Sequence, residues 1–312
     1  MNCVLDPQGC IGFAKRMDRK DRLDLIGVIA MLVFASLFAF NQIVIKITID
    51  GLQPIFSAAA RSLIGLVALW FWIKWRGIPI RMTRGQLWGG ILIGLLFTFE
   101  FLCLFIALDI TTVSRASVIF YTMPIWLGII AHFFLPGERL TGIRLIGFLV
   151  AICGVAWAFL NRGGGEASLL GDVLALIAAF GWAGIALCVR LTPVSEAPAE
   201  LQLVCQLAIS GVVLLLLSPL FGPLIREFEM MHGIGLLFQS IVMVLFGFLL
   251  WFALMKIYPA SDIASFSFLS PVLSVFFGWW ILGEEIHAQT VVALILVCIG
   301  LVLISRRAKR TS

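Results

Sequence analysis

Two opposite charges, Arg61 and Glu100, each interrupt a long apolar stretch of the sequence. An isolated charge near the centre of a membrane helix costs about 2.5–3.5 kcal/mol on insertion scales. We therefore expect both side chains to face the interior of a helix bundle and each other. Arg61 could bind a substrate carboxylate there, and Glu100 could hold a cation or a proton. A buried ion pair that only joins two helices is equally consistent with the sequence.

Polar and aromatic residues at helical spacing predict the lining of a cavity. Phe38, Asn41 and Gln42 share one face of the first apolar segment, while Tyr121 and Trp182 lie near the middle of two others. A few such groups fix the orientation of a ligand in an otherwise apolar pocket. Alternatively, these residues have no binding role: the Ser hydroxyls bond to the backbone of their own helix, and the aromatic side chains only pack. The predicted substrate-binding residues are Phe38, Asn41, Gln42, Arg61, Glu100, Tyr121, Trp182, Ser267 and Ser270.

Two prolines, Pro124 and Pro271, fall inside apolar segments. Proline lacks the backbone N–H, so each is expected to interrupt its helix and to free a carbonyl that a substrate or water could reach. We assign both a conformational role. Simple kinks that serve packing are the alternative.

Enzyme chemistry is not indicated. Glu138 and Glu285 resemble a carboxylate pair, but they begin helices that are predicted to enter from opposite membrane faces, where each favours the helix dipole. The histidines His132, His232 and His287 lack metal-ligand spacing and suit capping roles. The sequence has no phosphate-binding glycine loop and no nucleophile elbow. We predict no catalytic residue, no metal and no cofactor.

The elements that must position these residues are membrane helices. With 62% hydrophobic residues, 12% charged residues and a mean hydropathy of +1.10, the chain has too much apolar surface for a water-soluble fold. A hydrocarbon core of about 30 Å requires about 20 helical residues. Segments of that kind predict an all-α membrane protein with ten transmembrane helices, near residues 24–46, 55–75, 86–108, 114–134, 141–161, 169–190, 199–221, 233–256, 262–282 and 288–305.

The segments form two similar sets. Residues 97–138 recur without a gap as residues 244–285, a pairing that also matches the two prolines. A second gapless pairing, at a slightly different offset, sets Cys205 opposite Arg61. The chain therefore reads as two copies of one unit.

Charge distribution predicts the orientation. Lys and Arg are concentrated in both tails and in the connection between the second and third segments, which predicts that both termini are cytoplasmic. This bias explains the basic pI without a nucleic-acid partner. Five helices per copy is an odd number, so the copies are inverted, an arrangement that supports alternating access. The amino-terminal tail is not a convincing signal peptide, and Met17 is an alternative start. The predicted parts are a cytoplasmic tail (1–23), a first repeat (24–161), a second repeat (169–305) and a basic cytoplasmic tail (306–312).

Several short features together resemble the EamA-type transporters of the drug/metabolite transporter superfamily. They are Lys46 at the end of the first helix, Pro54, Arg61, the run Gly137–Thr141, and its echo at Leu282–Glu285. The resemblance covers nearly the whole chain after the tail. It implies a ten-helix fold around a central cavity for small organic metabolites, often with an export role.

The leading hypothesis is a multi-pass transporter in the inner (plasma) membrane that exports a small organic metabolite, an amino acid or a related compound. Proton coupling through Glu100 could drive this transport. The predicted partners of the protein are a small-molecule substrate and the lipid bilayer. A nucleotide-sugar carrier is the nearest alternative, although it would need more cationic groups than Arg61 supplies. A membrane-embedded enzyme would need clustered His, Asp or Glu residues at one membrane face. A channel is the third alternative.

Overall fold

The chain folds into a bundle of helices in the computed structural model, which describes residues 24–134, 142–160, 168–248, 250, 254, 257–258 and 268–305. The helices are α1 (Leu25–Gly51), α2 (Pro54–Arg76), α3 (Arg84–Ile110), α4 (Val113–Phe120), α5 (Met123–Phe134), α6 (Gly142–Leu160), α7 (Leu169–Leu191), α8 (Ala199–Leu217), α9 (Met230–Leu237), α10 (Leu269–Leu282) and α11 (Ala288–Ser305). Helix α9 continues as a π-helix over Phe238–Phe248. Extended pairing within the described residues is limited to one isolated bridge, Leu52–Ile225.

The described helices confirm an all-α, multi-pass membrane protein. Within the described residues, nine helical segments are long and apolar enough to cross a bilayer, with α4 and α5 counted together as Val113–Phe134. Helix α10 is apolar but shorter. It falls within the predicted ninth span, whose first residues, 262–267, lie outside the described part of the chain, as do the tails 1–23 and 306–312 and the predicted helix start at Glu138.

The fourth predicted span is not one continuous helix. The sequence predicts a span over 114–134 that Pro124 interrupts, and the chain indeed leaves helical geometry between α4 and α5. Pro124 has no N–H to donate to the carbonyl of Phe120, so the helical ladder stops there. Thr122 bridges the break, because its carbonyl accepts from the Ile125 N–H at 2.8 Å and its hydroxyl accepts from Trp126 Nε1 at 3.0 Å. Such discontinuous helices place backbone polar groups inside a bundle.

Each helix of the first half makes the same main contacts with the second half as its counterpart makes when the halves are exchanged, which is the pattern of a twofold axis. Helix α3 packs against α7 and α8, and α9 with its π-helical continuation packs against α1 and α2. Helices α4 and α5 pack against α7, while α10 packs against α1. Helices α2 and α8, α4 and α10, and α6 and α11 pair directly. This exchange is what a twofold axis between two five-helix units generates, and the odd helix number inverts one unit relative to the other.

Helices α6 and α11 cross closely because both carry small residues. A Cβ atom added to Gly300 would lie 2.5 Å from the Cβ of Ala151 and 2.7 Å from the carbonyl oxygen of Gly147. Such a distance is below any normal contact, so glycine is required for the approach. The crossing joins the last helix of each half.

One end of the bundle is tied together by polar contacts, and we call it the clamped face. It consists of the α1–α2 turn (51–53), the α3–α4 turn (111–112), the α8–α9 connection (222–229) and Glu284. The Gln53 N–H donates to the Leu224 carbonyl at 3.0 Å, and the Arg226 N–H donates to the Gly51 carbonyl at 3.0 Å. These bonds fasten the second half of the chain over the end of the first.

Glu284 also joins the two halves at the clamped face. Its carboxylate accepts hydrogen bonds from the Val113 N–H at 2.5 Å, the Ser114 N–H at 2.9 Å and the Ser114 hydroxyl at 2.5 Å. The first N–H groups of a helix have no partner within the helix, and a carboxylate there is favoured by the helix dipole. A residue of the second half therefore caps the first turn of α4.

Candidate functional site

Arg61 and Glu100 both lie in the interior, as their positions in apolar segments predict. Arg61 on α2 is 4% exposed and Glu100 on α3 is 2% exposed. The Arg61 guanidinium carbon lies 4.5 Å from the ring centroid of Phe101, so α2 presents its charge to the aromatic face of α3. Phe101 is the chain neighbour of Glu100, so the two opposite charges lie on facing parts of α2 and α3. They do not form an ion pair at salt-bridge distance in the described part of the chain.

The two side chains are incompletely satisfied. Arg61 Nε and Glu100 Oε2 are buried and have no hydrogen-bond partner among the described residues. An unsatisfied buried polar group costs about 1–3 kcal/mol, and more when it is charged. A guanidinium suits a carboxylate ligand, and a carboxylate suits an ammonium group or a proton. The pair therefore has the chemistry of a site for a molecule that carries both charges.

A close helix crossing holds Glu100 in place. A Cβ atom added to Gly181 of α7 would lie 3.2 Å from the Cβ and 3.3 Å from the Cα of Glu100. The absence of a side chain at Gly181 thus lets α7 contact the backbone of α3 at the charged residue. The neighbouring Trp182 is partly buried and packs against the main hydrophobic core.

A second polar group lies where α1, α4 and α10 meet. The Tyr121 hydroxyl lies near Gln42 and Ser274, and Tyr121 is 3% exposed. Asn41 Oδ1, Gln42 Oε1 and Ser274 Oγ are buried without a hydrogen-bond partner in the described residues. The structure therefore brings Gln42 and Tyr121 together with Ser274, which shares one face of α10 with Ser270 and Pro271.

These polar residues share one depth in the bundle. Asn41, Arg61, Glu100, Tyr121 and Ser274 each lie about two to three turns from the clamped-face end of their helix, or about 11–16 Å. The midplane of a hydrocarbon core of about 30 Å lies at a similar depth. A central site could therefore draw on α1, α2, α3, α4 and α10.

The other predicted site residues have different surroundings. Phe38 packs against Phe34, with ring centroids 4.3 Å apart, and against Phe248 of the π-helix at 6.0 Å. Ser270 and Pro271 are buried in the first turn of α10. Pro124 is half-buried at the start of α5. Ser267 lies outside the described residues.

A second buried charge pair is not predicted from the sequence. Arg115 Nη2 lies 2.6 Å from Asp172 Oδ2, Arg115 Nε donates to Oδ1 at 3.3 Å, and Nη2 also donates to the Ala158 carbonyl at 2.6 Å. The predicted fourth span begins at residue 114, which puts Arg115 at its outer end, whereas the side chain is 6% exposed in the first turn of α4. Lone charges in the first turns of two apolar helices, Arg115 in α4 and Asp172 in α7, are the signal that could have revealed the pair.

The surroundings of potential metal ligands and of His232 are as follows. No group of three or more His, Cys, Asp or Glu side chains in the described part of the chain could hold a metal ion. His232 is buried, and its Nδ1 accepts from the Glu229 N–H at 2.9 Å, which caps α9.

Comparison with protein families gives a match over both halves of the chain. The model of the EamA-like transporter family matches residues 25–160 and residues 169–306. The two matched stretches correspond to the two sets of five helices.

Curated relatives and a solved structure are also similar over nearly the full length. The chain is 25% identical over 283 residues to the uncharacterized transporter YoaV of Bacillus subtilis, covering 89% of this chain and 94% of the relative. It is 26% identical over 297 residues to a probable amino-acid metabolite efflux pump of Escherichia coli, covering 91% and 94%. A similarly named Salmonella typhimurium protein is 28% identical over 303 residues, covering 91% and 94%. A crystal structure with 20% identity superposes with a TM-score of 0.62 over 90% of this chain and 95% of the other, which supports the fold.

Proposed function

Because the chain belongs to the EamA-like transporter family, whose model matches both halves, we propose that it exports an amino acid or a related small metabolite from the cytoplasm. The observation that carries this proposal is the pair of buried opposite charges, Arg61 and Glu100, with unpartnered polar atoms. The two relatives named as amino-acid metabolite efflux pumps support the same substrate class.

The substrate in this proposal is a zwitterion bound near the middle of the bundle. Arg61 donates to its carboxylate, and Glu100 accepts from its ammonium group. Hydrogen bonds to charged groups contribute about 1.5–3 kcal/mol each, so the two contacts account for recognition of the part that all amino acids share. We assign the other predicted binding residues of the described chain to the side chain of the substrate; they are Phe38, Asn41, Gln42, Tyr121, Trp182 and Ser270.

Transport proceeds by rocking of the two inverted halves around this site. The clamped face lies outside the cell, and both termini are cytoplasmic in the inner (plasma) membrane. The support is the concentration of Lys and Arg in both tails, which are predicted to lie at the other end of the bundle. Pro124 and Pro271 start or interrupt helices beside the site, where they allow its walls to move.

Glu100 also couples export to protons. When the substrate leaves, the buried carboxylate of Glu100 no longer contacts the substrate ammonium group, and a proton can take that place. Binding of the next zwitterion then requires loss of that proton. The result is exchange of one substrate molecule against one proton through a single side chain.

Counterflow in proteoliposomes tests the proposal. Purified protein is reconstituted with a mixture of unlabelled L-amino acids inside, and the accumulation of each isotope-labelled amino acid is measured. We expect saturable counterflow of a subset of them, reduced about 10- to 100-fold by Arg61→Gln or Glu100→Gln, which corresponds to the loss of one charged hydrogen bond.

Matched controls make the same chemical change at exposed positions. Arg84→Gln and Glu196→Gln should leave counterflow unchanged, since both side chains are exposed and lie outside the bundle interior. Wild-type counterflow from Glu100→Gln and Arg61→Gln would contradict the proposed site. Ohmic conductance without counterflow would instead indicate a channel.

A further inference from the structure

A cavity lies at the clamped face, away from the central site. It has a volume of about 320 Å³ and is lined by Lys46, Asp109, Ile110 and Thr111. Pockets that hold small organic ligands have volumes from about 300 Å³ upward. The cavity therefore has room for a molecule the size of an amino acid.

The cavity contains one positive charge that is not neutralised by an ion pair. Lys46 Nζ donates to the carbonyl oxygens of Leu108 at 2.8 Å and Asp109 at 3.3 Å, which fixes the ammonium group at the end of α3. An ammonium group has three N–H donors, so one remains for a ligand. No carboxylate in the described part of the chain lies within salt-bridge distance of Lys46.

The acidic side chain of the cavity is already occupied. Both carboxylate oxygens of Asp109 accept from Arg226, at 2.7 Å and 2.9 Å, and this hydrogen bonding raises the pKa of Arg226. Arg226 also donates to the Ile49 carbonyl at 3.0 Å, so the pair is built into the wall between α1 and α3. Asp109 therefore does not cancel the charge of Lys46 toward the cavity.

Thr111 supplies a second donor. It is 1% exposed, and its Oγ1 is buried without a hydrogen-bond partner in the described residues. Leaving such a hydroxyl unsatisfied is costly, and a ligand oxygen would satisfy it. The ammonium group of Lys46 and the unpartnered hydroxyl of the wall residue Thr111 are two donors that would suit the two oxygens of a carboxylate.

We propose that this cavity is a second binding subsite, which holds the carboxylate of a small organic molecule through Lys46 Nζ and Thr111 Oγ1. The assignment of this subsite as the release site of the exported molecule rests on the proposed function. The affinity of the subsite for a carboxylate is independent of that function. The carboxylate of a molecule that leaves Arg61 would then bind Lys46, about two helical turns nearer to the clamped face.

Chemical labelling of a Thr111→Cys variant tests the subsite in the full-length, reconstituted protein. The reagents are an anionic sulfonatoethyl and a cationic trimethylammonioethyl methanethiosulfonate, and peptide mass spectrometry reads the label at position 111 apart from the native cysteines. We expect the anionic reagent to be favoured by at least about fivefold, because Lys46 attracts it. Excess propionate should slow the labelling, whereas propionamide, which has a similar shape and no charge, should not.

Two further variants separate charge from structure. Lys46→Gln in the Thr111→Cys background should abolish the preference for the anionic reagent and the protection by propionate, and Lys46→Arg should retain both. The control variant Asp50→Cys, at an exposed position on the same face, should show no protection by propionate. Equal protection by propionamide, protection that survives Lys46→Gln, or a Thr111→Cys variant that takes up no label at position 111 would overturn the proposal.

The labelling result is independent of transport. Glu100→Gln should reduce counterflow about 10- to 100-fold and keep propionate protection at position 111. An absence of propionate protection in a protein with normal counterflow would overturn the subsite and leave the export function standing. Propionate protection in a protein without any counterflow would support the subsite and overturn the export function.

Discussion

The bundle contains two buried pairs of opposite charges, and they differ in how completely they are satisfied. Arg115 and Asp172 meet at 2.6 Å, and Arg115 has a carbonyl partner as well. Arg61 and Glu100 are as deeply buried, yet each retains a polar atom without a hydrogen bond among the described residues. A satisfied pair needs no further hydrogen-bond partner, whereas an unsatisfied pair leaves buried polar atoms to which a ligand could bind. The difference separates a structural pair from a candidate site.

The two halves of the chain are also unequal at the candidate site. The repeat places Cys205 opposite Arg61, and the constant offset that aligns residues 97–138 with 244–285 places Gly247 opposite Glu100. Cys205 lies against Gly90 of α3, and Gly247 lies against Phe38 and Met243. Both charges therefore come from the first half. A pocket built from two similar halves thus has a charged side and an apolar side, and this asymmetry would give the proposed zwitterion one orientation.

The largest predicted effect is on stability, and it distinguishes the two pairs. Asp172→Asn leaves a buried Arg115 without its carboxylate, and breaking such a pair costs about 3–5 kcal/mol. Glu100→Gln removes no hydrogen bond to a described residue, so its effect on stability should be much smaller. The measurement is the temperature at which the detergent-solubilised protein loses its monodisperse peak in size-exclusion chromatography. Asp50→Asn, at an exposed position, is the control. If Asp172→Asn and Glu100→Gln lose the same amount of thermal stability, the two charge pairs do not differ in structural role.

Replacing both members of each pair by apolar residues tests the same distinction through function. Well-packed apolar side chains often substitute for a buried ion pair without loss of stability. We therefore expect Arg115→Met with Asp172→Leu to be more stable than Asp172→Asn alone and to retain counterflow. Arg61→Met with Glu100→Leu should insert normally and reduce counterflow at least about 100-fold, since both charged contacts to the substrate are lost. Counterflow from the second double variant would exclude the pair from the mechanism.

The sequence predicts the placement of Arg61 and Glu100 because an isolated charge in a long apolar segment has only the interior available. It does not predict Arg115, since the residue lies next to a segment boundary, where a first helical turn and a surface connection have the same composition. Pro124 marks the position of the helix break, but Thr122, which bridges it, has no distinctive signal. Glu284 stands out in the sequence only as part of a repeated motif. Its contact with Ser114 joins residues 170 positions apart, which no local pattern encodes.

The smallest predicted effect comes from the helix crossing that holds Glu100. A Cβ atom at Gly181 would lie 3.2 Å from the Cβ of Glu100, which is closer than nearly all normal contacts, so Gly181→Ala should move α7 away from α3 by a few tenths of an ångström. We expect counterflow to fall about threefold to tenfold, because a charged contact weakens with small displacements of the carboxylate.

Gly184→Ala is the matched control for this last prediction, since it makes the same change on the same helix. Its Cβ would meet Leu96 Cδ2 at 3.6 Å, an ordinary contact, so counterflow should remain unchanged. Both variants should keep wild-type thermal stability within about 1 kcal/mol, because alanine is also the better helix former. If Gly181→Ala and Gly184→Ala behave alike, the crossing does not position Glu100. If only Gly181→Ala loses transport, the site depends on how closely one half of the chain approaches the charged residue of the other.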